Sequence, residues 1–251
     1  MNKFGSLKKI ELHLHLEGAA EPDFVREICK DKKKSLPNIF NDAGSYKWSS
    51  FDEFLKVYEV VTELLSDEKS FEKLLRHVIE KQLKSNVIYS EIFLGPHLWG
   101  ESISDKWFSF LRIAKDISDE FERDHCIYVR FIIVAIRHLG PEKAKEAAKF
   151  AVKCKEFGIV GFGMAGDESA FETSLFKSSF DIAGGGELGL TSHAGEICGP
   201  TSIKGAIDLG IKRIGHGVRA IEDKDLVKEI LEKNIILEIC PGSNLCLGVF
   251  S

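Results

Sequence analysis

The chain contains no run of about 18 apolar residues, and its first residues lack the apolar stretch of a secretory signal. Neither a membrane span nor export is expected. A basic surplus is missing too: 34 Lys and Arg stand against 39 Asp and Glu, a net charge of -5. Nothing in that balance would displace counterions from a nucleic-acid backbone, so nucleic acid is not expected as the main ligand. The one basic cluster, Lys30 and Lys32–Lys34, has Glu27 and Asp31 beside it and reads as a solvated helix end. The six cysteines include no C-x-x-C pair. Scattered thiols in a chain of 251 residues read as reduced core side chains, not a disulfide frame. Internal repeats, low-complexity tracts and linkers are also absent. The expectation is one soluble, cytoplasmic domain over residues 1–251.

What the chain does have is alternation. Short β-rich runs occupy 9–14, 87–94, 127–135, 158–164, 188–193, 211–215 and 235–239. Amphipathic helical patterns such as 141–157 and 222–233 lie between them. Strands alternating with helices predict a parallel sheet, open or closed into a barrel. Residues 21–85 break the rhythm with a longer excursion. There Ser50 and Glu53 form a candidate capping box, and Phe54, Tyr58, Val61 and Leu65 follow at helical spacing. Such an excursion is placed to cover one mouth of a barrel, although a stripe of this kind is more often core.

The first strand reads ELHLHLEG. Leucines take one phase, and Glu11, His13, His15 and Glu17 take the other. Side chains two apart share a strand face, so the two imidazoles converge. Alone, H-x-H is a weak signal. A third histidine, His193, ends the fifth strand in TSHAGE, and His216 ends the sixth in RIGHGV. Ligands of parallel α/β folds gather at the carboxyl ends of strands. The other four histidines, His77, His97, His125 and His138, are assigned to a helix, loops and a strand approach. Four imidazoles at strand ends favour a metal, and imidazole suits zinc. Glu196, three residues after His193, is placed as a general acid; as a bland alternative it is a carboxylate at a helix N-terminus. Gly166 could offer a backbone N–H to a substrate, with Asp167 and Glu168 beside it as structural or capping groups. GFGMAG fits a dinucleotide fingerprint literally, but it lies mid-chain without a clear acidic ribose partner.

Taken in order, H-x-H-x-x-G, A-G-D-E, H-A-G-E, I-G-H-G and C-P-x-S-N resemble the adenosine deaminase family of the amidohydrolase superfamily. The resemblance covers nearly the whole chain. It implies a TIM-type (β/α)8 barrel, one zinc ion per subunit, and hydrolysis of adenosine, and of 2′-deoxyadenosine, to inosine-type products plus ammonia in purine salvage. It also implies His13, His15 and His193 as metal ligands, with His15 near the substrate. Glu196 would then protonate purine N1, and His216 would orient the attacking water. Gly166 would contact the purine, and Glu17 would reach the ribose. The partner would be a small purine nucleoside. The fourth strand carries no lysine to bridge two metals, and this favours the mononuclear branch.

The resemblance also implies an eighth strand ending in Asp-Asp, the first a metal ligand and the second a purine contact. The chain ends at Ser251 shortly after CPGSN. It is therefore expected to be a C-terminally truncated barrel, lacking strand 8 and the final helix, with impaired activity. Three alternatives stand beside adenosine hydrolysis. They are deamination of adenine, N6-methyl-AMP or another aminopurine; a non-catalytic purine-binding protein; and a structural protein with incidental histidines.

Overall fold

The computed structural model describes residues 5–249 except 101 and 104. Ser251, the residue on which the expected truncation turns, lies outside them. The chain forms two compact units, Met1–Leu94 with Ser104–Arg130, and Gly95–Ile103 with Phe131–Ser251.

In the first unit, β1 (Lys9–His15) runs parallel to β2 (Val87–Leu94), with His15 level with Phe93. The excursion between them holds α1 (Pro22–Asp31), α2 (Phe51–Leu64) and α3 (Glu68–Lys84). Ser50 caps α2 by accepting from Glu53 N–H. The returning arm of the predicted box reaches one residue further: Glu53 accepts from the backbone and hydroxyl of Ser49, both at 2.7 Å. Asp67 caps α3 in the same way, accepting from Ser70 N–H. α4 (Lys106–His125) packs on α3 through Phe71 and Phe110, ring centroids 5.0 Å apart. At the edge of that contact Arg76 grips Glu120 with two 2.8 Å bonds.

The leucine face of β1 is less covered than predicted. Leu16 is fully buried, but Leu12 and Leu14 are half-buried and Ile10 is 61% exposed. In the second unit Ile236 and Ile239, in and after the seventh strand, are likewise exposed.

The second unit carries β3 (Tyr128–Ile136, from Phe131), β4 (Ile159–Ala165), β5 (Gly189–Ala194), β6 (Arg213–His216) and β7 (Ile236–Glu238), each parallel to the next. The returns are made by α5 (Pro141–Lys153), α6 (Lys177–Gly185), α7 (Pro200–Asp208) and α8 (Lys224–Glu232); α9 (Pro241–Cys246) follows β7. Parallel strands need such crossovers, and helices on the faces account for the near-continuous apolar run of β3. Phe162 of β4 meets Phe180 of α6 with ring centroids 5.3 Å apart, both almost fully buried. Each such phenylalanine contributes about 2–3 kcal/mol of transfer free energy. The fold class is the predicted one: a TIM-type β/α series, with seven strands among the described residues. GFGMAG lies largely within β4, so it does not form the strand-to-helix turn that a dinucleotide site requires.

No helix among the described residues is long and apolar enough to cross a membrane. Cys29 and Cys154 are buried as expected of core thiols, while Cys126 is exposed.

Candidate active site

In the first unit the alternation of β1 puts His13 and His15 on one face, ring centroids 5.5 Å apart. Phe93 of β2 meets both imidazoles edge-on, each centroid 4.8 Å away, and so limits their tilt. Glu17 follows in a short 3-10 turn and is 2% exposed. Its carboxylate accepts from the Tyr58 hydroxyl at 3.1 Å. That hydroxyl is held well above its usual pKa, first by burial and then by the negative charge of Glu17. Gly18 is where Tyr58 passes: a Cβ there would lie 3.3 Å from the Tyr58 ring. The final glycine of H-x-H-x-x-G therefore makes room for a side chain of α2, a contact the sequence did not reveal.

In the second unit the site is built from successive strand ends, each gripping the next. Arg137, just after β3, is 5% exposed; its guanidinium donates to the carbonyls of Ala170 and Phe171 and to Thr173 Oγ1 at 2.7–2.9 Å. Those acceptors belong to the segment after β4. Replacing Arg137 with Met should lower unfolding free energy by about 3 kcal/mol, because buried acceptors are left without donors. A urea titration of the two proteins checks this.

His138 lies beside Arg137 and accepts from Asp167 N–H at 3.3 Å. Gly166 has φ +95, and a Cβ there would come within 2.9 Å of His138 Nδ1. Sequence reading set His97 and His138 apart from the strand ends. The structure corrects this: both follow strands directly, β2 and β3 respectively. His97 is buried and paired with Glu146 at 3.1 Å, and His77 bonds Glu21 at 3.2 Å.

His193 on β5 bonds the Met164 carbonyl of β4 through Nδ1 at 3.0 Å. A carbonyl only accepts, so the proton is on Nδ1 and Nε2 carries the lone pair, the tautomer an Nε2 metal ligand needs. On β6, His216 stands level with Ala194, and its ring centroid is 5.2 Å from that of His193. His216 itself adopts φ +64, a left-handed conformation that costs a non-glycine residue about 1–2 kcal/mol. Its Nδ1 donates to Asn244 Oδ1 of α9 at 2.8 Å, so Nε2 faces Glu196 Oε1 at 3.5 Å as an acceptor.

Glu196 is 5% exposed. Burial, with the negative charge of Glu168 added, pushes its carboxyl up to about 7. At neutral pH about half of such carboxyls hold a proton, as a general acid must. Glu168, read from sequence as structural or capping, is 3% exposed and accepts from the backbone N–H groups of Gly195, Glu196, Ile197 and Cys198. The second unit thus brings together His193, Glu196 and His216, adds Glu168 and Asn244, and sets Gly166 just past β4.

The adenosine deaminase family model matches residues 8–251. The chain belongs to the adenosine deaminase family. Within it, an adenine deaminase of Rhizobium rhizogenes is 39% identical over 252 residues, covering 97% of this chain and 76% of that protein. One from Agrobacterium fabrum is 38% identical, covering 97% and 75%. Among solved structures, an adenine deaminase from Arthrobacter aurescens superposes with TM-score 0.85 at 24% identity, covering 96% of this chain and 74% of that one. The apo N6-methyl-AMP deaminase of Arabidopsis thaliana gives 0.82 at 26%, covering 98% and 74%. The fold is therefore amidohydrolase-type, and the family is one of hydrolytic deaminases. The adenosine deaminase family places H-x-H, H-A-G-E and I-G-H-G at the strand ends where this chain carries them.

Proposed function

We infer that the protein hydrolyses the exocyclic amine of an aminopurine, with free adenine as substrate in preference to adenosine. The observation that carries the reaction type is Glu196, a buried carboxyl that titrates near 7 and lies 3.5 Å from His216 Nε2. Glu196 donates a proton to ring N1, which makes C6 electrophilic. Water adds at C6, with His216 orienting it and taking up its proton. That proton passes to the amino group, the C6–N bond breaks, and the products are the 6-oxopurine and ammonia.

His13, His15 and His193 are proposed to hold one zinc ion. The donor set fits: two imidazoles share a strand face, and the third has its proton fixed on Nδ1 by Met164. Such an ion supplies Lewis acidity and lowers the pKa of water to about 7. Gly166 is proposed to meet the purine through its backbone, with His15 near the ring.

Glu17 argues for the base over the nucleoside. Sequence reading, by resemblance, sent its carboxylate to a ribose hydroxyl. In the structure it is buried and accepts from Tyr58. A sugar hydroxyl would have to displace that bond. The adenine deaminase relatives at 38–39% identity support the same preference. Adenine, adenosine and N6-methyl-AMP supplied in turn, with ammonia release as readout, should give a kcat/KM for adenine on the order of 100-fold above that for adenosine. Equal values would remove the substrate assignment, and no ammonia from any of the three would remove the reaction.

A further inference from the structure

The segment that carries Glu196 has no regular structure to hold it. β5 ends at Ala194 and α7 starts at Pro200. Between them, four consecutive N–H groups, those of Gly195, Glu196, Ile197 and Cys198, all point at one carboxylate, that of Glu168. The last three reach Oε2 at 3.1, 2.8 and 2.9 Å. Gly195 at φ +69 begins the curl that turns successive amides inward, and a Cβ there would collide with Ile203 at 2.4 Å. Concave runs of backbone N–H groups of this kind bind anions. Here the anion is a side chain from the preceding β/α connection.

Glu168 is held from the other side. The residues that follow it, Ala170, Phe171 and Thr173, are fixed by the Arg137 guanidinium, whose charge also faces Glu168. Arg219, after β6, adds a bond to the Ile197 carbonyl at 2.5 Å. Bonds to an ionised acceptor are roughly twice as strong as neutral ones, and burial strengthens them further. Glu168 is thus the strongest tether on the Glu196 segment. Positioning of an acid to within a fraction of an ångström is worth orders of magnitude in rate.

We propose that Glu168 is a positioning residue for the deamination: its carboxylate gathers the four amides of residues 195–198 and thereby aims the Glu196 carboxyl at the substrate ring. This rests on the aminopurine deaminase reading above for its kinetic consequence, but not for its structural one. Glu168 touches no reacting atom; it acts through Glu196.

The test uses the full chain with Glu168→Gln and Glu168→Asp, each alone and combined with Glu196→Gln. Two measurements are made: amide hydrogen exchange at residues 195–198, and kcat and KM with adenine. In Glu168→Gln an amide group replaces one carboxylate oxygen with a donor, so the cradle opens. Exchange at the four amides should accelerate about 100-fold while the β3 and β4 core stays protected. kcat should fall about 100-fold with KM changed less than about threefold. Glu168→Asp keeps the charge with a shorter reach and should recover part of both losses. In the Glu196→Gln background, Glu168→Gln should change the residual rate less than about twofold, because its route of action is already gone. The proposal is overturned by unchanged exchange in Glu168→Gln, by a loss appearing in KM instead of kcat, or by full additivity of the two substitutions. If Glu168→Gln does not fold, Glu168→Asp carries the test: intermediate exchange with a kcat loss supports the proposal, and wild-type exchange overturns it. Were the wild-type protein to deaminate no aminopurine, the functional reading would fall, while exchange would still decide whether Glu168 holds the segment.

Discussion

Glu196→Gln should lower kcat for deamination by about 10²–10⁴-fold while leaving the protein folded and, above neutral pH, more stable than the parent. The activity loss follows from chemistry: glutamine keeps the shape of the acid but has no proton to give to N1. The stability gain follows from burial. An exposed glutamate titrates near 4.5, whereas in the folded chain Glu196 titrates at about 7. Between those values the folded state binds a proton that the unfolded state has released. The stability linked to that proton is fully present below about 4.5 and is lost as pH rises through about 7. At pH 8 the wild-type chain therefore carries a buried charge worth up to about 3 kcal/mol of instability. Glutamine removes it. Urea titrations at pH 5 and pH 8 should show the variant's advantage at pH 8 and little difference at pH 5, where both side chains are neutral in the fold. The wild-type rate should in turn fall on the alkaline side of about pH 7, a limb the variant lacks. A variant that is inactive but destabilised at pH 8 would mean that Glu196 is held by its charge, contrary to its burial.

The pairing of Glu196 with Glu168 explains how one connection supports two carboxyl groups with different duties. Glu168 is surrounded by backbone donors. Glu196 has Glu168 as a negative neighbour and an imidazole acceptor. Opposed environments of this kind separate an acid from a structural anion without any difference in residue type.

The alternation of strands and helices was legible because both periodicities are written in side chains. All seven predicted runs became strands, with ends shifted by a residue or two, as in 127–135 against Tyr128–Ile136. The imidazoles and Glu196 were legible because chemistry-bearing residues stood at predicted strand ends. The supporting residues were not. Glu168 binds amides 27–30 positions away, and a backbone N–H carries no sequence signature. Tyr58 meets Glu17 across 41 residues, yet periodicity gave it only as one member of a helical stripe. Asn244 was visible as the last letter of C-P-x-S-N, but its partner, His216, is 28 residues away. The glycines flanking His216 suggested close packing of the backbone, and the structure adds that His216 itself takes the left-handed turn. The relation between Glu17 and the substrate was misjudged for a related reason. A resemblance transfers a residue's position, but not the neighbour that already occupies it.

His193→Ala should abolish metal retention and deamination together, and the way it does so separates a ligand from a packing residue. In the folded chain the ring is anchored by Nδ1 to the Met164 carbonyl, which orients Nε2 with its lone pair available for coordination. Removing the ring takes away a nitrogen donor and leaves that carbonyl without its partner, so some loss of stability is expected in any case, about 1 kcal/mol. A catalytic zinc site has about three protein donors, and losing one weakens binding by far more than that. Metal content measured by inductively coupled plasma mass spectrometry should drop from about one zinc per chain to near zero, with kcat down by at least about 10³-fold. His193→Gln supplies the control, since its amide can still donate to Met164 but is a poor zinc ligand: it should recover the stability without recovering metal or activity. His13→Ala and His15→Ala should repeat the metal loss, because Phe93 holds both rings on one strand face. His138→Ala should not, because its Nδ1 accepts the Asp167 N–H and serves the backbone. Retention of a full zinc complement by His193→Ala would remove that residue from the ligand set. Loss of zinc in His138→Ala would instead extend the set to the end of β3.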